Sequence, residues 1–592
     1  MLKKFFLNAL SSFVGAWIAI VLLGAVLVCV FVGLIARSGA SSSSPSLSRK
    51  SVMKIDLSGV IAEAEETGSF DVRQLVMSDG ERPQALSTLT TAIAEAKENK
   101  NVAALYIECG GVSAGPATLN ALRSAIADFK KSGKPVIAYA DSYTQGDYFV
   151  ASVADSVFLN PQGMVNLHGI GGAVIYYKGL LDKLGVCFEV FKVGTYKSAV
   201  EPYICETMSE PARAQLDTLY GAMWSTLRSQ IAASRGLDAA RIDSLVDREH
   251  ISLRKADFVK SCKLVDRLVY KRQIDDIMAS ILDVDKKKLA YFNSSDVASQ
   301  TDWGQAYSGR NQVAVLYATG AIEEGTNGGI NCEQLVPQIV ELADDDNVKA
   351  VVLRINSPGG SVFGTVQISE ALRYLKSKKK PLIVSMGDYA ASGGYWISCE
   401  GDRIYADALT ITGSIGIFGL FPEASGLMQK LGLNAETVAT NPGAEFPSLF
   451  TPMEQGQAAA LQKWINDGYD QFIAQVSRGR KMPESKVRAV AEGRVWNAVT
   501  ARSLGLVDEI GSLRDAIEYA AGQSKLGENY EVAVYPLYEP SVWDFIPELQ
   551  RNITVQLGTM LPGVDDKALS RVARILMQNP LQARMAEMTV NI

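Results

Sequence analysis

The chain has 592 residues, 47% of them hydrophobic and 21% charged, with a formal net charge of -6 at pH 7. That length allows two or more domains with full cores, and the acidic balance, with no basic patch interleaved with aromatics, argues against nucleic acid as a partner. Its seven cysteines include no Cys-x-x-Cys pair, so neither a zinc site nor an obvious disulfide framework is expected, and no metal or other cofactor is called for. Cys29 lies in an apolar N-terminal run; the other six could pair outside the cytoplasm, with buried thiols the plainer reading.

Residues 13–36 are free of charge and long enough to cross a bilayer of about 30 Å at about 1.5 Å per residue. Ser38-Gly39-Ala40 could pass as a cleavage site, but the apolar run exceeds the ~7–15 residues of a signal-peptide core. The reading is therefore a tail and transmembrane anchor over 1–36, then a flexible linker over 37–52 that contains Ser41 to Ser44 and Pro45. Lys3 and Lys4 precede the span while Arg37, Arg49, Lys50 and Lys54 follow it, so charge does not settle its orientation.

The rest of the chain is an internal duplication. Residues 102–108 match 348–354, residues 135–140 match 381–386, and Tyr143 matches Tyr389, all at one offset. Leu181-Asp182-Lys183-Leu184-Gly185 matches Gln429-Lys430-Leu431-Gly432, and Lys263 to Leu268 resembles Leu504 to Gly511. Two copies make a duplication rather than a solenoid. The polar stretch 293–310 marks the boundary, giving α/β units over 53–300 and 301–592. Each reads as strand, helix, strand, helix, followed by a mainly helical stretch such as 453–475. Near the C-terminus, 542–561 mixes Trp543, Phe545, Ile546 and Leu549 with charges, a pattern that suits a membrane surface, a neighbouring subunit or a plain core helix.

In the second copy the apolar strand 349–355 runs into Asn356-Ser357-Pro358-Gly359-Gly360-Ser361, a turn that exposes backbone N–H groups where open α/β sheets bind ligands. The strand 381–386 is followed by Gly387-Asp388-Tyr389, read as the turn opening a helix, and then by Ala391-Ser392-Gly393-Gly394-Tyr395-Trp396. A serine between small residues at a helix N-terminus reads as a nucleophile, beside unpaired N–H groups suited to an anionic intermediate. The N–H of Gly393 with that of Gly359 or Gly360 would form an oxyanion hole. Tight helix-on-sheet packing is the plainer reading of the same residues.

A nucleophilic serine needs a base. The chain has two histidines, His168 in a Gly-rich loop and His250 in a charged segment, and both read as surface or packing residues. Lysine can serve instead when burial keeps it neutral. The copies have diverged at these places. Opposite Ser392 the first copy has Gln145 or Gly146, and opposite Ser357 to Gly360 it has Gly111-Val112-Ser113-Ala114. Its own singular segment is Gly194-Thr195-Tyr196-Lys197-Ser198-Ala199, where the second copy has Asn441-Pro442-Gly443-Ala444.

Together, the Lys197 segment, Ser357-Pro358-Gly359-Gly360 and Ala391 to Trp396 resemble the long, duplicated form of the signal peptide peptidase A family. The resemblance implies tandem crotonase/Clp-protease-like α/β domains behind an N-terminal transmembrane helix, and a Ser-Lys dyad with Ser392 as nucleophile and Lys197 as general base. It implies that Thr412-Gly413-Ser414 carries a serine, Ser414, that orients the lysine. It further implies a homo-oligomer, with a tetramer suspected, attached to the cytoplasmic membrane with its catalytic bulk outside the cytoplasm. There it would degrade released signal peptides and other hydrophobic peptides. A crotonase-like acyl-CoA enzyme and an inactive membrane scaffold are the alternatives; the Ser-Lys pair and the membrane span argue against the first, and intact Ser392 and Lys197 against the second.

Overall fold

The computed structural model describes residues 51–64, 83–298, 311–325, 329–441, 443–527, 530–535 and, as backbone, 581–584. The expected anchor at 13–36, nearly all of the linker, most of the domain boundary and the segment 542–561 lie outside the described residues. Among those described, no helix is long and apolar enough to cross a membrane.

Each copy is built on its own sheet, parallel throughout except that in the second Val495–Asn497 runs antiparallel to Ile411–Gly413. The first orders its strands Tyr291–Asn293, Ser51–Ala62, Val102–Ser113, Val136–Ala140, Ser156–Leu159 and Arg267–Leu268, with Gln84–Ala85 beside the far end of Ser51–Ala62. The second repeats that order with Glu531–Tyr535, Gln312–Thr319, Val348–Ser357, Leu382–Ala391, Arg403–Ala406 and Glu509–Ile510. The central strands read as continuous apolar runs because both faces are covered. Along Val348–Ser357, Val351, Leu353 and Ile355 pack into the main core, while Ala350 and Val352 face a smaller cluster under the helix Leu513–Gln523. The cores are nearly separate, but Ala391, Leu409, Ile411 and Val495 of the second copy join the first copy's core.

A third sheet crosses between the copies. It orders Ile330–Asn331, Ile322–Glu323, Gly359–Ser361, Leu581–Arg584, Phe418–Glu423 and Cys187–Lys192. Here Cys187–Lys192 of the first copy runs antiparallel to Phe418–Glu423 of the second. This pairing carries the lysine segment, which begins two residues further on at Gly194, into the other half.

Two sequence expectations are corrected. Gly387-Asp388-Tyr389 is no turn, because the strand continues to Ala391. Gly387 is needed for a close approach, since a Cβ there would strike the carboxylate of Glu63. Asp388 reaches across to cap the first-copy helix Pro116–Lys130, accepting from the N–H groups of Ala117 and Thr118 at 2.8 and 3.0 Å and from the Thr118 hydroxyl at 2.7 Å. Nor is the Pro-Gly-Gly stretch a simple turn. Val348–Ser357 runs on to Ser357, and after Pro358 the residues Gly359–Ser361 form a short strand of the crossing sheet. Glycine and proline read as punctuation in isolation, whereas here tertiary pairing extends the strands.

Candidate active site

The strand Leu382–Ala391 ends against Ile411–Gly413, and the chain turns at Ser392 into the helix Gly393–Ser398. Ser392 has φ 55° and ψ -117°, a strained conformation for a residue with a side chain. Its N–H donates to the carbonyl of Gly413 at 2.8 Å, which holds the turn closed. The neighbouring Ser414 also has positive φ, at 53°, and its N–H is tied to the carbonyl of Arg494 at 2.7 Å. Two strained serines thus face each other across adjacent strand ends.

Lys197 enters between them from the first copy. Its Nζ lies 2.8 Å from Ser392 Oγ, and 3.1 Å from both the carbonyl oxygen and the Oγ of Ser414. Ser392 is 0%, Lys197 1% and Ser414 2% exposed. Burial pushes the lysine pKa well below its ordinary value, because a dry site disfavours the ammonium form. A neutral amine has two N–H donors and one lone pair, and the three oxygens match that set: the Ser414 carbonyl and hydroxyl take the donors, leaving the lone pair for the Ser392 proton.

Gly393 is the first residue of its helix, so its N–H lies beyond the reach of the helix's own carbonyls. Gly394 must lack a side chain, since a Cβ would come within 2.9 Å of the Ser357 carbonyl oxygen. Gly359 donates its N–H to Ser357 Oγ at 3.1 Å, and Gly360 lies opposite Ala583 in the crossing sheet. The backbone of Leu581–Arg584 runs antiparallel to both Gly359–Ser361 and Phe418–Glu423, so the groove beside these glycines accommodates an extended peptide strand.

Sequence reasoning singled out Ser392, Lys197, Ser414, Gly359, Gly360 and Gly393; the structure brings the first three into contact and places the glycines at the adjoining strand and helix ends. His168 and His250 are exposed, whereas Ser392 has its hydrogen-bond partner in Lys197. Of the six described cysteines none is in a disulfide: Cys109, Cys262, Cys332 and Cys399 are buried, while Cys187 is exposed and Cys205 intermediate. The seam that aligns the two halves was missed. Besides the Asp388 cap it contains the buried pair Glu63–Arg354, with Arg354 Nε 2.9 Å from Glu63 Oε2, and the contact of Asn120 with Asp407.

The sequence matches the model of Peptidase family S49 once in each copy, over residues 128–285 and 374–527, and that of Clp protease over 312–409. It is 34% identical over 586 residues to Protease 4 of Haemophilus influenzae, covering 96% of this chain and 93% of that protein. Against Protease 4 of Salmonella typhi it is 34% identical over 555 residues, covering 90% and 87% of the two chains. A plant relative, the chloroplastic serine protease SPPA of Arabidopsis thaliana, is 27% identical over 510 residues, or 85% and 74% of the two chains. With an α/β architecture duplicated in tandem and relatives aligned along nearly its whole length, the chain belongs to peptidase family S49, as a protease of the signal peptide peptidase A type.

Proposed function

We propose that the protein is a serine endopeptidase working through a Ser392–Lys197 dyad, anchored in the cytoplasmic membrane by residues 13–36, with its two α/β units outside the cytoplasm. Its substrates are signal peptides already released from preproteins and other hydrophobic peptides. The observation that carries this reading is the buried Lys197 Nζ placed 2.8 Å from Ser392 Oγ.

In this mechanism the peptide lies extended along Gly359–Ser361, where Leu581–Arg584 now runs, and binds by strand addition. Lys197 takes the proton of Ser392 as Oγ attacks the scissile carbonyl carbon. The N–H of Gly393 and one from Gly359 or Gly360 hold the oxyanion, and Ser414 keeps the amine aimed. Collapse breaks the C–N bond, and the leaving amine takes the proton from Lys197. Water then attacks the acyl ester, again losing its proton to Lys197, and Ser392 regains its hydrogen as the acid product leaves. The test is digestion of a synthetic signal peptide by the purified protein, with the cleavage sites mapped by mass spectrometry. Internal cuts that disappear in Ser392→Ala are expected, and an intact peptide would overturn the reading.

A further inference from the structure

Lys197 is held in place by a turn of the second copy that carries none of the catalytic atoms. Glu492 and Gly493 both have left-handed backbones, with φ 60° and 73°. The Glu492 carboxylate accepts from the Thr195 N–H at 3.0 Å and the Thr195 hydroxyl at 2.7 Å, and the Glu492 carbonyl accepts from the Tyr196 N–H at 2.9 Å. Packing is as close as glycine permits. A Cβ on Gly493 would lie 2.7 Å from the backbone N and Cβ of Lys197, and one on Gly194 would lie 2.5 Å from the carbonyl carbon of Glu492. The Arg494 guanidinium then sits 4.9 Å from the ring centre of Tyr196 and 4.3 Å from that of Trp496. The same turn fixes the other side of the amine, because Gly493 donates to the Ile415 carbonyl at 2.8 Å and the Arg494 carbonyl accepts from Ser414 N–H at 2.7 Å.

We infer that Glu492, acting through Thr195, is a positioning residue that registers the lysine segment of the first copy against Ser392 and Ser414 of the second. The inference rests on the dyad reading. Its logic is geometric: one short turn grips the backbone on both sides of the amine, so loosening it moves Nζ relative to Ser392 and opens the amine to water. Among the described residues, the charged groups flanking the lysine segment are Glu492, Arg494 and Glu201. Glu492 is engaged by Thr195, Arg494 by the two rings, and Glu201 by the N–H and hydroxyl of Ser209. None of them is spent on Nζ, so the lysine's shift comes from burial alone and is vulnerable to water.

The test compares Glu492→Ala, Glu492→Gln and Thr195→Val in the full-length protein, reading kcat, KM and the pH profile of kcat/KM on a peptide substrate. Glu492→Ala is expected to lower kcat at neutral pH by ~10–100-fold, the scale of a small misplacement of a reacting group, with KM nearly unchanged. The midpoint of its pH profile moves up toward the ordinary lysine value, so the defect shrinks as pH rises. Glu492→Gln keeps an accepting oxygen and restores most of the rate, while Thr195→Val falls between. A purely structural weakening would lower activity equally at every pH, so a kcat loss without a moved midpoint, or no change at all, overturns the inference. Lys197→Ala is run alongside. If it stays active the dyad itself fails, whereas a dead Lys197→Ala beside an unaffected Glu492→Ala removes only the positioning role.

Discussion

The strand-to-helix corner occurs twice in this molecule, and the two copies treat the same backbone groups in opposite ways. They superpose through the helix tyrosines: Tyr148 and Tyr395 donate their hydroxyls to the carbonyls of Leu264 and Leu506, at 2.7 and 2.9 Å. That places Gln145 where Ser392 stands and Asp147 where Gly394 stands. In the first copy the Asp147 carboxylate accepts from the N–H groups of Gly111, Val112 and Thr144 at 3.0–3.1 Å. Gly111 and Val112 lie opposite Ser357 and Pro358, so this carboxylate ties down the first copy's loop just ahead of the positions of Gly359 and Gly360. Gln145 is spent as well, its Oε1 accepting from the N–H groups of His168 and Gly169 at 2.9 Å. In the second copy glycine replaces the plug and serine the amide. A corner whose polar groups are tied up by Asp147 and Gln145 reads as scaffold; the same corner with Ser392 and Gly394 in their place, and Lys197 delivered from the first copy, reads as a candidate site.

The largest effect that would break this contrast is loss of the proposed nucleophile. Ser392→Ala is expected to lower kcat/KM by about 10⁴-fold or more, with the fold intact by circular dichroism. The counterpart Gln145→Ala is expected to leave turnover within about twofold, because its contacts are structural. A Ser392→Ala protein keeping more than about a tenth of the wild-type rate would end the assignment.

Next comes the proposed base, Lys197, which belongs to the first copy. Lys197→Arg is expected to be as inactive as Lys197→Ala, since arginine keeps its proton. Because burial lowers the lysine pKa, the amine becomes neutral as pH rises through that lowered value, and kcat/KM of the wild type should climb with pH well below the ordinary lysine range. Stability moves the same way: the unfolded chain, whose lysine titrates near its ordinary value, binds the proton more readily, so the folded state gains as pH rises between the two values. A rate profile with no rise below the ordinary lysine range would contradict a neutral buried base.

The plug itself can be exchanged. Gly394→Asp puts the first copy's residue into the second, where its Cβ meets the Ser357 carbonyl and its carboxylate would compete for the proposed oxyanion donors. A loss of ~10²–10³ in kcat is expected, the scale of a disabled oxyanion hole. The reverse change, Asp147→Ala, should leave kcat/KM alone and destabilise the protein by about 2 kcal/mol, as backbone donors lose their partner. Urea unfolding and steady-state kinetics together separate the two outcomes, and equal kinetic effects from both variants would erase the distinction between site and scaffold.

Much of this was legible from residues. The repeat, the central apolar strands and the odd placement of Ser392 and Lys197 in different copies all follow from pattern and mismatch within one chain. What was not legible depends on approach between distant segments. Gly387-Asp388-Tyr389 carries turn residues, yet Gly387 makes room for Glu63 and Asp388 caps a helix of the other copy. The turn at Glu492 and Gly493 has no motif, since its meaning comes from Thr195 and Lys197 pressing on it. Asp147 was the exception: aligning the helix tyrosines already sets it opposite Gly394, and a carboxylate opposite the glycine that follows Gly393 was a usable signal.

The smallest expected effect lies at the seam, where Asn160 of the first copy corresponds to Asp407 of the second by the pairing of their strands. Asp407 faces Asn120, whose Nδ2 donates to both carboxylate oxygens at 2.8–2.9 Å while its buried Oδ1 has no partner. Burial pushes the Asp407 pKa up to about 6, against an ordinary 3.8. A carboxyl whose folded value is raised stabilises the protein fully below the unfolded value, and that contribution is lost as pH rises through the folded one. Asp407→Asn installs the first copy's residue, removes the charge and offers an amide N–H₂ to the Asn120 oxygen. It is expected to stabilise the protein by about 1–2 kcal/mol at pH 7.5, discounted for partial exposure, and to bring little gain at pH 4, where the native carboxyl is already protonated. Urea midpoints of both proteins at the two pH values measure this, and a gain of the same size at both would mean that packing, rather than the buried charge, distinguishes the copies at this position.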